Sequence, residues 1–329
     1  MEKNTIKNYK GKKMNITTQL YLMLSNLNTI EATIIASFIG LLIGSFSNVV
    51  IHRLPVMMER EWKHACEQEM GIESDPLPKY NLSLPRSACV NCNHQIKWYD
   101  NIPVISWLIL RGKCRKCKMK ISYMYPLVEF LIGIISGVTV FLMWPSPLAI
   151  FIPIAITMAF ILMFIDIKHM ILPDSLTLPL LWIALILSSL NILPVSPTMS
   201  IIGAASAYGF FYMVNGVIKI WKGVDGMGYG DVKYMAAVGA WFGPLQIYYI
   251  ILAICILALC IFAFAEIVSK TNFIDKNSES YKQYQDMVEN SKSDLGYMDH
   301  DEFKEKRIMP LGPSISIVFM IHLIMTYLF

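Results

Sequence analysis

Seven near-continuous apolar runs, each of roughly 18 to 21 residues, divide the chain at 32–51, 126–144, 148–165, 176–193, 199–218, 245–265 and 311–329. A helix rising about 1.5 Å per residue crosses the ~30 Å hydrocarbon core of a bilayer in about that length. Lipid offers no hydrogen-bond partners, so a spanning segment must satisfy its own backbone, and an unbroken apolar run does so as a helix. Composition agrees, with 55% hydrophobic and only 16% charged residues, against about 25% charged in soluble domains. An eighth run, Val232–Phe242, covers about half the core and ends at Phe242-Gly243-Pro244, a helix stop and re-entry turn. The expectation is an all-α polytopic membrane protein of about eight transmembrane helices, one of them short.

Charge placement predicts orientation. All 28 Lys and Arg fall in the N-terminal tail or in segments 52–125, 168, 219–233 and 270–307, while the loops at 144–147, 191–197 and 242–244 carry no charge. The positive-inside rule makes the charged segments cytoplasmic and the bare loops external. Five lysines of the tail 1–31 oppose this, because an odd first span puts the N-terminus outside. They are outnumbered by the 12 basic residues of 52–125, six of them in Arg111–Lys120. The first run is not a cleavable signal, since it lacks a small-residue cleavage site and leads straight into a charged domain. Topology accounts for the net charge of +4, and no basic stripe with interleaved aromatics points to nucleic acid.

These boundaries divide the chain into a tail (1–31), a first span (32–51), a cytoplasmic domain (52–125) and a transmembrane region (126–329). The last contains a polar insert at 270–307 with nine acidic and seven basic residues, which reads as solvated helix or flexible loop.

The cytoplasmic domain holds two C-x2-C pairs, Cys89/Cys92 and Cys114/Cys117, with 21 residues between them. Two such knuckles supply the four thiolates of a tetrahedral zinc site, and a domain this small gains folding energy from the metal. Cytoplasmic placement disfavours disulfides. A redox pair is the competing reading, though redox motifs rarely come doubled. His94 is an alternative ligand that four cysteines leave no room for. Cys66, Cys255 and Cys260 lack partners at useful spacing and read as packing residues.

Acids at membrane depth are costly and therefore informative. Asp174, in Pro173-Asp174-Ser175, reads as a helix N-cap. Glu129, one turn into the second span, reads as partnered by backbone or Lys inside the bundle. Asp166 ends an apolar run with no helix start after it. Asp231 closes "GMGYGD" (226–231), whose three glycines are expected to permit positive φ and close approach to a substrate. Two carboxyl groups brought together share a proton, so one acts as base toward water while the other polarises a carbonyl. Spacing and topology leave this pairing open beside ordinary structural roles. The D-[ST]-G signature of soluble aspartic proteases is absent. So are G-x-S-x-G, H-E-x-x-H, a P-loop, and a dinucleotide-binding glycine turn following a strand.

With these motifs placed, the sequence resembles the bifunctional type IV prepilin peptidases, the leader peptidase/N-methyltransferases. The similarity runs nearly end to end through "GSFSNVVIHRLPVMMEREW" (44–62), the four cysteines, "DNIPVISWLILRGKC" (100–114), "YPLVEF" (125–130), "IDIKHMILPDSLTLPLLW" (165–182), "GMGYGDVK" (226–233) and "PLGP" (310–313). The resemblance implies an intramembrane aspartyl protease of the GxGD type in the bacterial inner membrane. Its substrates would be type IV prepilins or type II secretion pseudopilins, cut after a glycine on the cytoplasmic face. The new N-terminal residue would then be methylated with S-adenosylmethionine. The family's two aspartates fall on Asp166 and Asp231, with Gly228, Gly230 and Asp174 in support. The cysteines match its zinc tetrad, associated with the methyltransferase half. Glu59, Arg60 and Trp62 lie in a matching motif and are the candidates for the methyl-donor site. Ser47 stands where the family usually has leucine, "PLGP" replaces the more usual "PFGP", and the insert 270–307 is longer than expected. The alternatives are a peptidase without methylation, which the intact cysteine tetrad opposes, and a non-enzymatic zinc-containing transporter or scaffold.

Overall fold

A computed structural model describes residues 16–71, 79–223, 226–270 and 310–328. The polar insert expected at 270–307 lies, after Lys270, outside the described residues. Those residues are helical, with two isolated bridges, Ala88 with Gln95 and Lys113 with Lys120, in place of any sheet. A short helix α1 (Ile16–Leu24) precedes α2 (Thr29–Glu69), and a 3-10 turn (Trp98–Asn101) precedes the five-residue α3 (Ile105–Ile109). The remaining helices are α4 (Met124–Met143), α5 (Leu148–His169), α6 (Asp174–Ser189), α7 (Pro197–Lys222), α8 (Tyr229–Lys270) and α9 (Gly312–Tyr327).

Among the described residues, five helices (α2, α4, α5, α7 and α8) are long and apolar enough to cross a membrane, and α6 and α9 are shorter apolar helices of 16 residues. The expected short eighth span is not an independent helix. It forms the first limb of α8, which continues beyond a kink at Gly243 (φ 76°, ψ 175°) followed by Pro244. Only glycine adopts that backbone conformation without strain.

Helix α2 runs without interruption through the predicted domain edge at residue 51. A capping box starts it, with Asn28 Oδ1 accepting from the N–H of Glu31 at 2.9 Å while the Glu31 carboxylate accepts from Asn28. The helix ends only at Glu69, so its last turns carry "MEREWKHACEQE" beyond the apolar run. Small residues seat α2 on α4. A Cβ at Gly44 would come within 2.7 Å of Glu129 Cα, and one at Gly40 within 2.6 Å of Ser136 Oγ. Lipid tails are as apolar as leucine, so helices in a membrane associate through such close packing. The same device joins α7 to α8, where a Cβ at Gly203 would meet the Gly239 carbonyl oxygen at 2.2 Å.

The main core lies between α5, α6, α7, α8 and α9, with Trp241, Tyr234, Phe319, Leu180 and Ile156 fully buried. The polar tips within it are matched. Trp241 Nε1 donates to the Leu180 carbonyl at 3.1 Å, and the Tyr327 hydroxyl donates to the Trp241 carbonyl at 3.0 Å. A second cluster of Val50, Ile51, Ile161 and Ile165 receives Leu82 from the segment after α2. Around Leu82, Arg53 donates to the Asn81 carbonyl at 3.0 Å, and the Arg60 guanidinium lies 4.4 Å over the Tyr80 ring. The inserted domain is thus fastened to the bundle as well as tethered by its ends.

Candidate active site and metal centre

Asp166 occupies the last turn of α5, 5% exposed, and its Oδ2 accepts the backbone N–H of Gly312 at 2.9 Å. That donor comes from the first residue of α9, brought there by the Pro310-Leu311-Gly312-Pro313 turn. A Cβ at Gly312 would lie 2.6 Å from Asp166 Oδ2, so only glycine lets the turn approach the carboxylate. Leu311 and Pro313 frame a residue whose importance "PLGP" signals in the sequence without revealing its partner.

Asp231 lies in the first turn of α8, where the helix dipole favours an acid, and its N–H donates to the Gly228 carbonyl at 3.1 Å. It stands within electrostatic reach of Asp166, 65 positions earlier. Its Oδ1 is buried and accepts no hydrogen bond among the described residues. The glycines before it do not take the expected positive φ, which this stretch reserves for Gly223 and Gly243. They serve close approach instead. A Cβ at Gly230 would meet Leu172 Cβ at 2.9 Å, and one at Gly226 would meet Ile218 at 2.6 Å, while Gly228 lies against Asp231 Oδ2. Asn215, buried on α7, fixes the turn from the other side, its Oδ1 accepting from Gly226 N at 2.7 Å and Met227 N at 3.1 Å. A lone asparagine in an apolar helix was the one sequence signal for this contact.

The N-cap role expected of Asp174 is not observed. Pro173 is the capping residue, and Asp174 starts the helix and turns its carboxylate to Lys233 Nζ at 2.6 Å. Proline suits the end of the chain's extended entry and leaves the acid free to reach α8. That ion pair and the Leu172–Gly230 contact join the starts of α6 and α8 beside Asp231. Below the aspartates, the Tyr234 hydroxyl and Ser316 Oγ are hydrogen-bonded at 3.0 Å, joining α8 to α9 one turn further in.

Glu129 meets a backbone partner, though from the segment between α2 and α4 and not from inside the bundle as expected: its Oε2 accepts the N–H of Val104 at 2.7 Å. Val104 has φ 59°, a backbone strain unusual for a β-branched residue, and the carboxylate holds it at the start of α3.

The four cysteines converge. Their Sγ atoms all lie within 4.8 Å of one another, with Cys89 and Cys117 at 3.7 Å and no disulfide between them. A tetrahedral ion with Zn–S bonds of about 2.3 Å sets S···S at ~3.8 Å, so the tetrad fits zinc. The two knuckles are copies of one turn. Cys89 N donates to His94 O and Asn93 N to Cys89 O; Cys114 N donates to Met119 O and Lys118 N to Cys114 O. Asn93 (φ 52°) and Lys118 (φ 59°) take the same left-handed position after each pair. His94 therefore contributes its backbone to the turn and stands outside the cluster. The N–H of Met119 draws Cys117 down to about 6, and those of Cys92 and Asn91 draw Cys89 down. At Cys92 the backbone at His94 pulls the same way, but desolvation and neighbouring thiols prevail and push it up to about 11. Beside the tetrad, the Arg115 guanidinium chelates Asp100, with Nε to Oδ2 at 2.8 Å, and holds that carboxyl below its usual range.

Glu59, Arg60 and Trp62 lie on α2 beyond the apolar run. Arg60 covers Tyr80, Trp62 is 71% exposed, and Glu59 faces His169 through its charge.

Residues 153–263 match the type IV leader peptidase family, and residues 38–144 match the bacterial peptidase A24 N-terminal domain. The chain belongs to the type IV leader peptidase family. The first match contains both aspartates and the second contains the cysteine tetrad. A prepilin leader peptidase/N-methyltransferase of Stutzerimonas stutzeri is 42% identical over 223 residues, 66% of this chain and 75% of that one. One of the same name from Aeromonas hydrophila is 45% identical over 208 residues, 62% of this chain and 71% of that one. Another from Pseudomonas aeruginosa is 42% identical over 210 residues, again 62% and 71%. No solved structure matches the chain.

Proposed function

We propose that the protein is a prepilin leader peptidase and N-methyltransferase of the bacterial inner membrane, and that Asp166 and Asp231 perform the cleavage. The observation that carries this reading is two acids, 65 residues apart in sequence, at the facing ends of α5 and α8 within electrostatic reach of one another. The Gly312 N–H stabilises an anionic Asp166, so Asp166 is the base that takes a proton from water. Asp231, whose Oδ1 has no protein donor, carries the shared proton and gives it to the scissile carbonyl oxygen. The water oxygen bonds to the carbonyl carbon. As the tetrahedral intermediate collapses, the C–N bond breaks, the leaving amine takes up the proton held by Asp166, and one hydroxyl of the diol returns its proton to Asp231 as the carbonyl re-forms. Gly228 and Gly230 let the Asp231 turn pack against Leu172, and the Asp174–Lys233 pair holds the two helix starts in register.

The prepilin would present its apolar N-terminal helix to the bundle and its basic leader to the aqueous face bearing the inserted domain. That face is cytoplasmic and the N-terminus external in this reading, following the distribution of Lys and Arg. Cys89, Cys92, Cys114 and Cys117 would hold a structural Zn2+, whose closed shell supplies folding energy to the domain of 52–125. S-adenosylmethionine would be the methyl donor. Glu59, Arg60 and Trp62, on α2 beyond the apolar run, are the candidates for its site.

The test is reconstitution with a prepilin, followed by mass spectrometry of its N-terminus. The wild-type protein removes the leader and adds the mass of one methyl group. Wild-type cleavage rates in Asp166→Asn or Asp231→Asn would overturn the aspartyl reading, and cleavage without the added mass would leave a peptidase alone.

A further inference from the structure

Where α2, α4 and α5 meet at the edge of the apolar bundle, they form a half-open, largely apolar pocket of about 80 Å³. Its polar lining is Asn48, His52, Tyr125 and Lys168, and Ile51 and Phe164 form part of an apolar wall. His52 is the first residue after the apolar run 32–51, Lys168 lies in the last turn of α5, and Tyr125 lies in the first turn of α4. All three therefore sit at one depth, the bilayer boundary on the side of the inserted domain. The His52 ring stacks on Tyr125 with centroids 5.3 Å apart. Asn48 Nδ2 donates to the Tyr125 carbonyl at 3.1 Å, fixing the floor.

The charge in this cavity has one sign. Lys168 and His169 both act electrostatically on His52, and among the described residues no carboxylate lines the space. Glu59, the nearest acid along α2, faces His169. Glu129 on α4 is engaged by Val104, and Asp166 on α5 is turned to Gly312. Volume narrows the ligand further. Sites that enclose a whole small molecule run to about 300 Å³ and above, so a nucleoside does not fit here. About two or three waters' worth of space suits a single anionic group.

We propose that this cavity binds the phosphate of an anionic membrane lipid, with the acyl chains resting on the Ile51 and Phe164 wall. Lys168 and His52 donate to the phosphate oxygens, as basic pockets between membrane helices do for lipid head groups. The bound lipid bridges three helix ends, one of which carries Asp166 two residues before Lys168. The proposal needs only that the chain is embedded in a bilayer, so it stands or falls separately from prepilin cleavage.

The test is native mass spectrometry of the full chain, released from a mixed micelle of phosphatidylglycerol and phosphatidylcholine in equal amounts. The wild-type protein should retain one phosphatidylglycerol in preference to phosphatidylcholine by about fivefold, as one lysine near the bilayer surface implies. Lys168→Gln with His52→Gln should bring the ratio near one, and Lys168→Arg should preserve it. Arg86→Gln with Lys120→Gln removes two exposed charges elsewhere and should leave the ratio unchanged. An unaltered preference in the Lys168/His52 variant, or equal loss in the Arg86/Lys120 variant, overturns the proposal. So does displacement of the lipid by inorganic phosphate together with equal retention of short-chain and long-chain lipid, which would assign the cavity to a free anion.

Discussion

The backbone N–H of Gly312 donates to Asp166 Oδ2 at 2.9 Å across 146 positions of sequence. This contact carries the last helix into the surroundings of an acid that terminates the fifth. A methyl group at residue 312 would sit 2.6 Å from the same oxygen. Gly312→Ala is therefore expected to displace the carboxylate and lower cleavage about 100-fold, since misplacing a reacting group by about 1 Å costs that much. Prepilin cleavage assays against a matched thermal unfolding curve check this, and an unchanged rate in a folded variant refutes it.

Asp166→Asn and Asp231→Asn each remove one half of the proton exchange. Cleavage should fall by at least the roughly 10²- to 10⁴-fold that general acid–base groups supply. Methylation of a pre-cleaved pilin peptide should continue, because the described hydrogen bonds of the two carboxyl groups are made with Gly312 and Gly228 alone. Parallel assays on precursor and pre-cleaved peptide separate the two activities.

For the Asp174–Lys233 pair, both partners are partly exposed, so its effect on stability should be at most about 1 kcal/mol. Its effect on alignment should be larger than its effect on stability. Asp174→Lys or Lys233→Asp alone should slow cleavage several-fold with Tm nearly constant. The double swap, which restores opposite charges, should recover most of the rate. Failure of the swap to recover more than either single change would remove the pair from the positioning apparatus.

Much of this architecture was legible from the apolar runs and the cysteine spacing. The lengths of 126–144 and 148–165 predict α4 and α5 closely, and the two C-x2-C pairs converge as their spacing requires. Three things were hidden, each for a physical reason. Proline at 173 takes the capping position that a short polar side chain would normally hold, so Asp174 was misread as the cap. Glycines 226, 228 and 230 could serve either conformation or clearance, and only the neighbours Ile218, Leu172 and Asp231 decide for clearance. Asn215 and Gly312 act through contacts 11 and 146 residues away, which no local pattern records.

Metal removal should act on the inserted domain first. Metal analysis of the purified chain should find about one zinc, lost in Cys89→Ser and on chelation. The sign of the pH effect follows from the ligands, which bind as thiolates and take up protons when they release the ion. Zinc should therefore stay bound at neutral pH and leave as the pH falls, with backbone donors at Cys89 and Cys117 delaying the loss. Metal retained in Cys89→Ser with an intact fold would sink the assignment.

The contact between Gly203 and Gly239 offers a test of the bundle free of catalysis. A Cβ at Gly239 would approach the Gly203 carbonyl oxygen to 2.3 Å. Gly239→Ala should destabilise the protein by about 1–3 kcal/mol, the usual cost of overpacking, read as a fall in Tm in detergent. Gly209→Ala on the same α7, where nothing lies within 4 Å of the added methyl, should leave Tm unchanged.

The order in which a ribosome delivers this chain gives the Gly312 contact a further meaning. Asp166 and Asp231 enter the membrane long before α9, yet the N–H that Gly312 supplies to Asp166 comes from the last sixteen-residue helix. A nascent chain thus holds both acids in an unfinished setting until α9 inserts. A chain stopped before residue 310 lacks that donor and should accumulate without cleaving precursor.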